Sequence, residues 1–92
     1  MKRVRLNDWC MGTKERAHRH IQKRLRFPDY YGGNLDALYD CLAEIGVPTE
    51  ITLVNAKYLR TKLGDYAKKL ITVVLAASAE NPRVKLAVKD GL

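Results

Sequence analysis

No stretch of this sequence is apolar over anything near the ~18 residues that a membrane-spanning helix needs. The longest candidate, LITVVLAA at 70–77, is less than half of that. The opening segment MKRVRLNDWC has the positive charge of a secretory signal but neither its apolar centre nor its small-residue cleavage site. The expectation is therefore a cytoplasmic protein with no membrane partner. Cysteine is scarce, Cys10 and Cys41 alone. In a reducing compartment two such thiols stay unpaired, and Cys41, inside an apolar helical pattern, reads as a small buried hydrophobe. Cys-x-x-Cys, His-Glu-x-x-His, Gly-x-Ser-x-Gly and a lysine-ended glycine loop are all missing. Those absences remove the usual zinc, redox, hydrolase and nucleotide chemistries. The two histidines, His18 and His20, sit two apart on a predicted helix and point to different sides. They cannot share a metal, and both read as surface residues of a basic helix. No cofactor, no metal and no enzymatic activity are expected.

A further absence is local. The chain holds 17 Lys+Arg against 10 Asp+Glu, a net charge of +7, yet no Lys or Arg occurs between Arg26 and Lys57. Residues 1–26 carry nine basic groups and residues 57–92 carry eight. Residues 27–56 carry none, and hold Asp29, Asp36, Asp40, Glu44 and Glu50. The molecule should be a negative patch on a positive body.

Length and a hydrophobic content of 47% predict one domain over 1–92. Val4 and Leu6 alternate with Arg3, Arg5 and Asn7, a strand pattern. Thr13 is a plausible N-cap for an amphipathic helix over about 14–26, with Ala17, Ile21 and Leu25 on its apolar side. Pro28 ends that helix, and Tyr30-Tyr31-Gly32-Gly33 makes a turn. Asn34 then caps a second helix, Leu35 to Ile45, with Gly46 and Pro48 as stop signals. Glu50–Val54 reads as a strand, Asn55 as the cap of a short helix that Gly64 closes, and Asp65 as the cap of a longer one. In that longer segment LITVVL has strand-like residue types, but length and caps favour a helix. Val84, Leu86 and Val88 alternate as a last strand. Strands separated by helical crossovers predict an α/β fold: a small three-stranded parallel β-sheet packed with about four α-helices.

Asp36, Asp40 and Glu44 are spaced i, i+4, i+8, which stacks three carboxylates on one helix face. Like charges at that spacing destabilise a helix. A catalytic carboxylate pair needs a cleft, which nothing in the flanking sequence builds. A hard cation needs more oxygen ligands at loop spacing. The remaining readings are a solvated helix face and a binding ridge for a cationic partner, the latter favoured by Tyr30, Tyr31 and Tyr39 beside the acids.

The run Phe27-Pro28-Asp29-Tyr30-Tyr31-Gly32-Gly33-Asn34-Leu35-Asp36-Ala37-Leu38-Tyr39-Asp40-Cys41-Leu42 resembles the barstar family of ribonuclease inhibitors. The order of elements is similar over nearly the whole chain. The resemblance implies a cytoplasmic immunity or antitoxin protein that binds an extracellular-type, barnase-like ribonuclease, or a related toxin nuclease, as a monomer in a 1:1 complex. It implies occlusion of the nuclease active site by the second helix and the turn before it. Asp40 would be the central phosphate-mimicking carboxylate, Asp36 its neighbour, Tyr30 a stacking group, and Asn34, Leu35 and Tyr39 the surrounding contacts. Ala43 and Glu44 carry over loosely, because the likeness needs a one-residue gap after Leu42. Three departures stand out: the family's best-known member is acidic, it has Trp where this chain has Tyr39, and a contacting Glu late in the last helix aligns with Ala76. The competing reading, a small basic nucleic-acid-binding domain, rests on the +7 charge and the Arg-rich first helix; the segregation of the charge weakens it, and the sequence disfavours nucleic acid as a partner.

Overall fold

A computed structural model describes residues 1–89. The chain runs β1 (Lys2–Asn7), a 3-10 turn (Asp8–Cys10), α1 (Lys14–Leu25), α2 (Leu35–Ala43), β2 (Thr49–Val54), α3 (Ala56–Leu63), α4 (Asp65–Glu80) and β3 (Val84–Lys89). The strands form one parallel sheet in the order β1-β2-β3. Val4, Ile51 and Leu86 stand in register across it, as do Leu6, Leu53 and Val88. Alternation does what the sequence pattern requires. Val4, Leu6, Ile51, Leu53 and Val84 point into the core, while Arg3, Arg5 and Lys85 are exposed on the other face. On that face Arg3 lies 3.9 Å from Glu50, a solvated pair that adds little stability.

The ambiguous LITVVL segment is helical. Ala67, Leu70, Val74 and Ala77 recur with helical spacing and are all buried, so α4 supplies one broad apolar stripe to the core. α2 packs chiefly on α4, through the fully buried Leu38 and Leu42. Thr13 caps α1 as expected, its hydroxyl accepting from the Arg16 N–H at 3.1 Å. Two expected caps are corrected. Asn55 adopts a left-handed conformation (φ 64°, ψ 46°) and makes no side-chain cap bond. Asp65 is the first residue of α4, and Gly64 occupies the cap position, at φ 57°.

α2 is shorter than the sequence predicts, ending at Ala43 rather than Ile45. The reason is Asn81, placed by the α4–β3 turn. Its amide nitrogen lies 3.0 Å from the Leu42 carbonyl, 3.3 Å from that of Ala43 and 2.9 Å from that of Ile45. Asn81 Oδ1 accepts from the Arg83 N–H at 3.1 Å, which fixes the amide's orientation. A helix leaves its last four carbonyls without partners inside the helix, and here a distant buried side chain reaches two of them, those of Leu42 and Ala43, and the Ile45 carbonyl just beyond. Asn81→Ala should lower stability by about 1–3 kcal/mol, the usual cost of leaving buried polar groups unsatisfied. Urea unfolding monitored by circular dichroism measures it.

Candidate functional site

The acidic ridge begins at a turn that only glycine makes easily. Gly33 has φ +67°, the left-handed region. A Cβ on Gly32 would come within 3.3 Å of both the Ala37 Cβ and Asn34 Nδ2. Asn34 follows in extended conformation, and its side-chain oxygen accepts from the Ala37 N–H at 2.8 Å. This is the N-cap expected from the sequence. Asp36 lies in the first turn, where the helix dipole favours a negative charge. Glu44 lies at the other end, at the C-cap, where the dipole opposes it, and the last turn has no basic residue. Asp36, Asp40 and Glu44 are all exposed. Among the described residues no ion pair reaches any of them.

The turn is fixed from beneath by a buried polar chain. His18 is 3% exposed, with Nδ1 2.7 Å from the Tyr31 hydroxyl and Nε2 2.5 Å from the Tyr66 hydroxyl. It ties α1, the α1–α2 turn and α4 together. This corrects the expectation that both histidines lie on the solvent face. His18, Ile21 and Leu25 share the helix side that faces the core, a spacing legible in the sequence once the helix is phased on Ile21 and Leu25. His20 is half-buried, and its Nε2 accepts from the Asn7 N–H at 3.1 Å. Tyr31 is likewise an internal strut rather than an exposed anchor, with its ring 5.2 Å from that of Phe27. Burial, then the nearby Cys41 and Tyr66, push its hydroxyl well above the ordinary tyrosine range. Tyr30, by contrast, is 84% exposed.

An open groove of about 520 Å³ lies between this turn and α2. Tyr30, Asp40 and Glu44 line it together, with Phe27, Tyr31 and Cys41 among its other walls. Arg26 also reaches this groove, a cation that the sequence placed only at the edge of the base-free region. Asn34, Leu35, Asp36, Tyr39 and Ala43 do not line it. Asn34, Asp36 and Ala43 are exposed on the turn and helix beside it, while Leu35 and Tyr39 are half-buried and pack against the core. The Cys41 thiol is raised from its ordinary range by burial, then by Glu44 and Asp40. Raising it disfavours the thiolate, so Cys41 is a poor nucleophile. Cys10 and Cys41 are both free. Among the described residues no group of three or more His, Cys, Asp or Glu side chains is arranged to hold a metal ion, and no helix is long and apolar enough to cross a membrane.

Residues 1–90 match the family model described as Barstar (barnase inhibitor). The chain belongs to the barstar family. A Bacillus subtilis (strain 168) protein named "Putative ribonuclease inhibitor YrdF" is 42% identical over 81 residues, covering 87% of this chain and 89% of that protein. In this barstar-family chain the acidic ridge thus sits on a helix held at both ends: by the Asn34 cap and the His18 chain at the start, and by Asn81 at the finish.

The polar chain makes stability depend on pH. Burial holds the His18 imidazole below its ordinary value of 6.5, partly offset by Glu15. Burial, then Arg24 and Lys23, hold His20 below the same value. Below pH 6.5 the unfolded chain therefore binds more protons than the folded one, so stability is fully present above that pH and falls as pH drops. Urea midpoints should decrease between about pH 7 and pH 5. The decrease should be shallower in His18→Gln and in His20→Gln; equal slopes in all three proteins would show that the imidazoles do not set it.

Proposed function

We propose that this chain is an inhibitor, not an enzyme, and that it blocks a ribonuclease by placing α2 and the turn before it in the nuclease active site. The observation that carries the reading is the ridge itself: Asp36, Asp40 and Glu44 exposed, without ion-pair partners among the described residues, on a helix fixed at both ends. A surface that costs helix stability and has no internal use is accounted for by an external cation. A ribonuclease cleft presents such cations where RNA phosphates bind, and a carboxylate is the protein group that resembles a phosphate in charge and acceptor geometry. Fixing the helix beforehand lowers the ordering cost of association.

In this reading Asp40 enters the phosphate pocket, because it stands mid-helix and also lines the groove beside Tyr30. Asp36 engages the same cationic cleft one turn earlier. Tyr30 stacks on the nuclease, and Asn34, Leu35 and Tyr39 supply the surrounding contacts. Ala43 allows close approach, and Glu44 adds charge at the edge. The partner is an extracellular-type ribonuclease or a related toxin nuclease, bound 1:1 in the cytoplasm of the cell that makes it.

The experiment is calorimetric titration against a barnase-type ribonuclease, with cleavage of an RNA substrate as a second readout. Asp40→Ala should weaken binding by about 2–5 kcal/mol, the range for removing one partner of a buried charge pair, a range that barnase–barstar itself helped to define. Unchanged affinity would remove Asp40 from the interface. Tyr30→Ala should weaken binding while leaving the melting temperature in place, since its ring contributes almost nothing to the core.

A further inference from the structure

We propose that the chain carries a second binding surface, for single-stranded nucleic acid, in the basic groove between the outer stripe of α1 and the carboxyl ends of β1 and β2. Arg16, Arg19 and Lys23 line a groove of about 180 Å³. Arg5, Arg24 and Trp9 line an adjoining one of about 430 Å³, and His20 and Cys10 belong to both. Asn7 and Val54, the last residues of β1 and β2, close the second groove, so it opens outside the carboxyl ends of two parallel strands. The five cations come from two elements and line two grooves that share His20 and Cys10, and among the side chains described no carboxylate lines either groove.

The floor of the groove is ordered. Arg24 Nε donates to the Arg5 carbonyl at 3.1 Å, and the Asn7 N–H donates to His20. The depression of the His20 imidazole by Arg24 and Lys23, after burial, agrees with a positive local potential. A row of solvated cations alone would need no concave shape and no aromatic group. Trp9, the chain's single tryptophan, is 53% exposed, and its ring rests on Tyr58 with centroids 4.7 Å apart. An exposed indole in the wall of a cationic groove is the arrangement that holds a phosphate backbone while stacking a base. Duplexes hide their base faces, which favours a single strand. A bilayer surface takes aromatic groups that protrude, whereas Trp9 lies back on Tyr58 in the groove wall.

This surface shares no lining residue with the acidic groove, so it stands or falls independently of the inhibitor reading. The test is titration of Trp9 fluorescence with short oligo(U), oligo(dT), a duplex of equal length, and phosphatidylserine vesicles. Single strands should quench the indole at low salt, and binding should weaken by about 100-fold or more at tenfold higher salt, as three or more phosphate contacts require. Tighter binding of oligo(U) than of oligo(dT) identifies RNA as the ligand, and equal binding identifies single strands of either sugar. Arg19→Glu combined with Lys23→Glu should abolish binding while leaving nuclease inhibition intact. Trp9→Leu, followed by anisotropy of a labelled oligonucleotide, should remove the preference for single strands. Absence of quenching at low salt would overturn the proposal. So would duplex or vesicle binding as tight as single-strand binding, or unchanged affinity in the folded charge-reversal variant.

Discussion

Asp36, Asp40 and Glu44 repel one another along α2, and the repulsion is not relieved on the helix itself. Like charges one turn apart each cost a few tenths of a kcal/mol. Glu44 adds an unfavourable charge at the carboxyl end of the dipole. A nine-residue helix is too short to persist by propensity alone. α2 therefore exists because other parts of the chain hold it. Leu38 and Leu42 bury against α4, Asn34 takes a first-turn N–H, and the Asn81 amide takes the last carbonyls. The structure beneath the ridge is built to maintain a surface that is unfavourable on its own.

The same constraint explains the polar interior. A buried imidazole between two tyrosine hydroxyls would be an odd choice for stability, since apolar packing would serve as well or better. His18 instead joins three segments that hydrophobic contact would leave free to slide: α1, the Tyr31 turn and α4. Directional bonds fix where the turn sits, and the turn fixes Tyr30 and the start of α2. The network supplies position rather than energy, and acid sensitivity comes with it.

Architecture was legible in the sequence because it rests on periodicity. The period-two alternation of Val4 and Leu6, and of Val84 and Leu86, marked strands, and the Asn34 cap marked the start of α2. The ridge was legible because spacing alone stacks its acids. What escaped were bonds between residues far apart in the chain. By residue type Asn81, followed by Pro82, reads only as a stop after α4, and nothing local says that its amide reaches back 39 residues to Leu42. Residue type alone puts His18 in solvent, although its place beside Ile21 and Leu25 sets it on the inner side. Residue type makes Asn55 and Asp65 caps, but the backbone there is set by Gly64 and by a left-handed Asn55, which side-chain propensity does not reveal.

Net charge and local charge act over different distances. The +7 of the whole chain is felt across a body 32 × 26 × 20 Å in extent, whereas salt at physiological strength screens exposed charges beyond about 8 Å. A cation within that distance of α2 meets Asp36, Asp40 and Glu44, with Arg26 as the opposing charge on the same groove. A basic partner farther away meets no attraction, only a net positive body whose field salt has largely screened. Steering is thus a poor source of affinity for this chain, in contrast to an acidic inhibitor facing a basic nuclease. In the inhibitor reading proposed above, affinity would have to come from slow dissociation, and so from contacts made after close approach. In that reading the contacts need a ridge and turn already in place, and the Asn81 and His18 bonds hold both segments.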